Sequence, residues 1–141
     1  MATKINASFA NNRNNGFASA KKASTAFEVG YFVTYDGSGH VKPVVAGTDK
    51  ILGLSNEQIT SASANYALTS DISISTPVNI LDILTIPVET GTATAALVGT
   101  YVNVDAANPG AVDVSAAGTQ ILVTRVIDSK TILGAIALTV A

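Results

Sequence analysis

The chain has 141 residues, 13% of them charged and 48% hydrophobic, with a net charge of −2; this is enough apolar material for one packed domain and too little charge for a disordered chain or a nucleic-acid-binding face. Cysteine is absent, which excludes a disulfide framework, thiolate catalysis and cysteine-ligated zinc. Charge is unevenly placed: Lys4, Arg13, Lys21 and Lys22 all precede the first acid, Glu28, so a basic N-terminal segment leads into a body with four basic and ten acidic side chains.

Residues 1–26 are dominated by Asn, Ala, Ser and Lys, with isolated aromatics at Phe9 and Phe17. Neither helical nor strand periodicity is visible there, which predicts an extended basic N-terminal arm, separate from a single β domain over residues 27–141. A purely solvating tail gains nothing from two phenylalanines, each worth up to about 2 kcal/mol when buried; the arm is therefore expected to dock. The opening MATKINASFANNRNN holds no apolar run of the kind a secretory leader needs, so synthesis and assembly in the cytosol are expected.

From Phe27 the texture changes. FEVGYFVTY is rich in β-branched and aromatic residues, DGSG is a turn, and HVKPVV resumes the strand. Pro43 has no N–H to give to a ladder, which places its strand at an edge or a bulge. AGTD at Ala46 to Asp49 makes the next turn and KILGL the next strand. Ser55 with Gln58 has the form of a capping box, but the Ser, Thr and Asn that follow suit a loop equally well. YALTSDISIS, VNILDILTIPV, ETGTATAALVGTYVNV, GAVDVS, QILVTRVID and TILGAIALTV read as further strands, separated by turn chemistry in DAANPG, AAGT and DSK. Strands about ten residues apart predict an all-β sandwich or barrel of short strands.

The second half repeats the first. Val29-Gly30 matches Val98-Gly99, Val33 matches Val102, Asp36 matches Asp105, Val41 matches Val112, Ala46-Gly47-Thr48 matches Ala117-Gly118-Thr119, and Ile51-Leu52 matches Ile121-Leu122. Length changes fall in the turns, where a chain tolerates them. Two similar β-units and chance convergence of a biased composition both account for these matches.

Groups suited to catalysis are scarce. His40 is the single histidine, beside a glycine-rich turn, with no GxSxG elbow to make it part of a triad. Asp36, Asp49, Asp105 and Asp113 lie at turns without the dense oxygen spacing of a calcium loop, and Asp capping its own backbone explains them. No phosphate-cradling glycine loop and no amphipathic membrane helix is present. No cofactor, metal, nucleic acid or membrane partner is expected.

The stretch VGYFVTYDGSGHVKPVVAGTDKILGLSNE, residues 29–57, resembles the core segment of small capsid decoration, or cement, proteins of tailed bacteriophages. The likeness lies in Gly30, the turn Asp36 to Gly39, Val41 to Pro43, and Ala46 to Gly53. It implies a non-enzymatic virion protein bound to the outer capsid surface, with the major capsid protein and further copies of itself, as a dimer or trimer, for partners. The basic segment lies outside the matched stretch. Its charge and aromatics nominate Lys4, Phe9, Arg13, Phe17, Lys21 and Lys22 as contacts to an acidic capsid or to a neighbouring copy. The alternative is a β-sandwich binding module of a virion or surface fibre, recognising a host glycan or surface.

Overall fold

The structure, a computed structural model, describes residues 6–10, 14–77 and 82–137. It is all-β, with one 3₁₀ turn at Ala95–Leu97. The strands are β1 (Ser8–Phe9), β2 (Asn14–Ala20), β3 (Phe32–Tyr35), β4 (Val41–Pro43), β5 (Gly53–Ser55), β6 (Asp71–Pro77), β7 (Leu84–Thr90), β8 (Tyr101–Val104), β9 (Val112–Asp113), β10 (Ile121–Asp128) and β11 (Thr131–Ile136). The region open to a helix or a loop after Ser55 is a loop; the Ser55 hydroxyl donates to Glu57 O at 2.9 Å.

Two sheets form, and they are copies of one plan. One is ordered β2-β6-β5-β3-β4; the other is ordered β7-β11-β10-β8-β9, with β1 added beside β7. Strands β2 to β6 and β7 to β11 therefore follow the same path. Register is preserved pair by pair. Tyr35 faces Val41 as Val104 faces Val112, and Val33 faces Gly53 as Val102 faces Ile121. Leu54 faces Ser75 as Leu122 faces Ala135, and Ser19 faces Ile72 as Ile86 faces Ile132. Matching registers at every interface are not a product of shared composition, because composition leaves pairing free to slip. The chain is a tandem pair of five-stranded units.

The units differ in closure. In the second, β7 runs parallel to β9, Val88 beside Val112, and this closes a five-stranded barrel. In the first, the equivalent contact shrinks to a single parallel bridge between Lys21 and Val41. The connections differ too: residues 56–70 link β5 to β6, whereas a turn at Ser129 and Lys130 links β10 to β11.

Alternation within the strands supplies the core. In β7, Leu84, Ile86 and Val88 are buried while the residues between them are only partly so. The larger apolar cluster takes Phe32, Val44, Ile51 and Leu54 from the first unit and Leu84, Ile86, Val102, Val112, Ile121 and Ile132 from the second, so the units share one interior. A smaller cluster of Phe27, Val33, Val41, Ile59, Ile72 and Ile74 fills the first unit. Pro43 lies on β4, the last strand of its sheet, as its missing donor requires.

The expected boundary at residue 26 does not separate an arm from a body. Asn14–Ala20 pairs along its whole length with Asp71–Pro77, and Ser8–Phe9 pairs with Leu84 and Thr85 of the second unit. Small polar residues hid this strand, because its register is set by backbone hydrogen bonds and its apolar content is low.

Candidate interaction surface

Of the six residues nominated from sequence, Lys4 and Arg13 lie outside the described residues. The other four are scattered over both sheets. Phe9, on β1, is half-buried against the larger cluster, and Phe17, on β2, is half-buried against the smaller one. Each ring packs in part against the chain's own core and keeps part of its surface exposed. Lys22 is exposed, and its N–H donates to Val41 O at 2.9 Å.

Lys21 is a correction. It is fully buried, at the place that Val88 occupies in the second unit. Its ammonium donates to Tyr66 O and Leu68 O, each at 2.7 Å, and to Lys22 O at 3.4 Å. Three carbonyls offset the loss of water around the charge; burial still pushes the amine below its ordinary 10.5. A charge held this way cannot reach an acidic partner. What it does reach is the loop between β5 and β6, which has no counterpart in the second unit.

The turns behave as their aspartates dictate. Asp36 Oδ1 accepts from Ser38 N at 2.7 Å and His40 N at 3.2 Å, and Asp49 Oδ2 from Ala46 N at 3.0 Å. Asp105 Oδ2 accepts from Ala107 N at 3.0 Å, and Asp113 Oδ1 from Ser115 N at 2.8 Å. The Ser38 hydrogen bond is the main reason that the Asp36 carboxyl is held below 3.8; the His40 N–H and the charges of His40 and Lys22 add to it, while desolvation opposes. His40 Nδ1 stands 3.7 Å from Asp36 Oδ2. Lys22, whose N–H bonds Val41 O, one residue beyond His40, lies close to the Asp36 turn in space. No group of three or more metal-ligating side chains forms among the described residues.

What sequence reasoning missed is a set of exposed apolar side chains. Val29, Tyr35, Val45, Leu68, Val98, Tyr101 and Ile127 are all 45–58% exposed. Val29 and Val98 are equivalent: each precedes a glycine with positive φ, Gly30 at 89° and Gly99 at 87°. In both units that glycine donates its N–H across the sheet, to Ser55 O and to Val123 O, each at 2.8 Å. The Val-Gly match was the available signal, since it marks the repeated positive-φ glycine that both exposed valines precede. Tyr101 and Leu97 border a groove of about 350 Å³ with Val114 and Ala116 to Gly118.

The two units are pinned together beside this groove. Gln120, 5% exposed, donates from Nε2 to Ala46 O and Asp49 O, both at 2.9 Å, and its Oε1 accepts from Val104 N at 2.9 Å. The matched tripeptides also meet, as the Thr119 hydroxyl donates to Gly47 O at 3.3 Å. The matched turns are therefore held against each other, and beside them Lys42 Nζ stands 3.9 Å from Asp49 Oδ2. No protein-family model matches the chain, and no curated protein matches it.

Proposed function

We propose that this chain is a non-enzymatic structural protein of a bacteriophage virion, which binds the outer capsid surface and bridges neighbouring capsid subunits. The observation that carries the reading is residues 29–57, where the resemblance lies. They form β3, β4 and β5 in unbroken succession, with capped turns at Asp36 and Asp49 and with exposed apolar side chains at Val29, Tyr35 and Val45. Rigid turns beside exposed apolar residues suit a clamp, because little conformational entropy is lost when such a surface docks. Each docked copy buries surface that must separate before the shell ruptures, so occupancy raises the temperature and force that the shell withstands. Lys22, near the Asp36 turn, supplies a positive charge for an acidic lattice; Lys21 does not contribute to that face.

The test is cosedimentation of the full chain with undecorated shells of the major capsid protein encoded alongside it. Saturable binding at a fixed ratio, weakened by Tyr35→Ala or Val45→Asp, supports the reading; absence of the chain from the shell pellet at saturating concentrations refutes it. A glycan-binding module is the second reading, favoured by exposed Tyr101 beside its groove, since sugars stack on exposed aromatic faces. Retention on a glycan array, lost in Tyr101→Ala, would select it.

A further inference from the structure

The duplication exposes a difference between the units at one sheet edge. In the second unit the outer edge of β7 is covered twice: Val88 and Thr90 pair with β9, while Leu84 and Thr85 pair with Phe9 and Ser8 of β1. Ala10 N extends that pairing by donating to Ile83 O at 2.9 Å. In the first unit the far end of β2 is covered in the same way, by the Lys21 bridge to Val41 and by Lys22 N donating to Val41 O. Phe17 and Ala18 are the equivalents of Leu84 and Thr85, because Phe17 faces Ile74 as Leu84 faces Gly134. Among the described residues no strand lies along them on this side.

Hydrogen-bond parity identifies the open groups. Lys21 N donates to Ser70 O at 3.0 Å. In an antiparallel ladder alternate residues turn the same way, so Ser19 and Phe17 also bond β6, while Ala18 and Gly16 aim their N–H and C=O outward. Gly16 and Ala18 are exposed. The strand reads NNGFASA and carries no charge. It therefore lacks the lysine or proline that keeps an edge from pairing.

We infer that this edge of β2 pairs with the same edge of a second copy of the chain, antiparallel, about a two-fold axis. The strand is self-complementary in the register that sets Gly16 opposite Ala18. Each of these residues then exchanges reciprocal hydrogen bonds with its partner, and Phe17 lies on the axis opposite Phe17 of the second copy. That central position is a non-hydrogen-bonded pair, where side chains approach most closely, and aromatic pairs there add to sheet stability. The paired stretch Asn14–Ala20 is itself uncharged, and the two-fold contact closes on itself, so assembly stops at two. The two five-stranded sheets become one continuous sheet. This inference stands on the duplication and is independent of capsid binding.

The experiment uses the full chain, with light scattering and amide hydrogen exchange measured from about 1 µM to about 1 mM, the range expected for a small strand-edge contact. Mass is expected to rise from 14.3 kDa toward twice that value. Over the same range the Gly16 and Ala18 amides slow by about tenfold or more, while those of Phe17 and Ser19 stay protected throughout. Ala18→Pro removes one outward donor without touching a bond to β6, and is expected to be monomeric at every concentration with its melting temperature retained. The inference is overturned by a chain that stays monomeric, by a dimer that persists in folded Ala18→Pro, or by Gly16 and Ala18 protection that does not change with concentration. Should Ala18→Pro fail to fold, the concentration dependence of the native chain's exchange decides alone.

Discussion

Replacing Gln120 with leucine tests whether the units are held together by one side chain. The position equivalent to Gln120 in the first unit is Leu52, since Leu52 N donates to Val33 O as Gln120 N donates to Val102 O. Gln120→Leu thus installs the residue the other unit uses, at similar volume and without a cavity. It strips three hydrogen bonds, those to Val104 N, Ala46 O and Asp49 O. Val104 is 6% exposed, so its N–H is left buried and unpaired at a cost of about 2 kcal/mol. Ala46 is exposed and Asp49 half-buried, so water replaces part of what their carbonyls lose, and the two together add about 1–2 kcal/mol. More favourable burial of leucine returns about 1 kcal/mol. The net loss is about 2–3 kcal/mol, or about 8 °C in melting temperature for a domain of this size. Urea denaturation should show the midpoint fall with an unchanged slope, because the shared core keeps unfolding cooperative. Gln120→Glu keeps the acceptor for Val104 N but sets a carboxylate against two carbonyls; its deficit should be larger at neutral pH and shrink on acidification as the carboxylate protonates. A Gln120→Leu protein within about 0.5 kcal/mol of wild type would refute the argument that this clamp joins the units.

Two further predictions follow from the duplication. Gly30 and Gly99 share the same positive φ, but a Cβ on Gly30 would meet Ala7 O at 2.5 Å and Asn6 Cβ at 2.7 Å, whereas nothing lies within 4 Å of one on Gly99. Gly99→Ala should therefore cost about 1 kcal/mol in chemical denaturation, from φ alone, and Gly30→Ala about 3 kcal/mol, with the N-terminal segment displaced; equal costs would contradict this account. Lys21→Met removes the ammonium from Tyr66 O and Leu68 O and should destabilise the chain by about 2 kcal/mol, with faster exchange or proteolysis in residues 60–69. Because burial lowers the folded-state value of Lys21, the unfolded chain binds more protons between that value and 10.5. Wild-type stability should therefore gain from this group as pH rises through that window, and Lys21→Met should lack that slope.

Local patterns in the amino-acid order were enough for the β-class, most strand positions from β3 onward, the capped turns, and the edge placement of Pro43. All of these are local: alternation, turn residues and a missing donor act within a few residues of where they are read. The amino-acid order also carried half of the duplication, in the Val-Gly, Asp and Ala-Gly-Thr matches of β3, β4, β8 and β9. The match of Ile51-Leu52 to Ile121-Leu122 was two residues out of register, since the ladders set Gly53-Leu54 against Ile121-Leu122. Strand periodicity is two, so such an offset keeps every side chain on its face and leaves no trace in the pattern.

That Asn14–Ala20 is the counterpart of Leu84–Thr90 emerges from long-range strand pairing alone. The strands share hydrogen-bond partners and no residue type at the paired positions, and backbone pairing writes little into sequence. Tertiary contact fixes the fate of Lys21 as well. A lysine where the other unit has valine reads as surface charge until the loop ending at Ser70 brings two carbonyls to 2.7 Å from its ammonium. The closure of one barrel, the near-closure of the other and the edge of β2 that no described strand covers arise in the same way, because each depends on which strands meet across long stretches of chain.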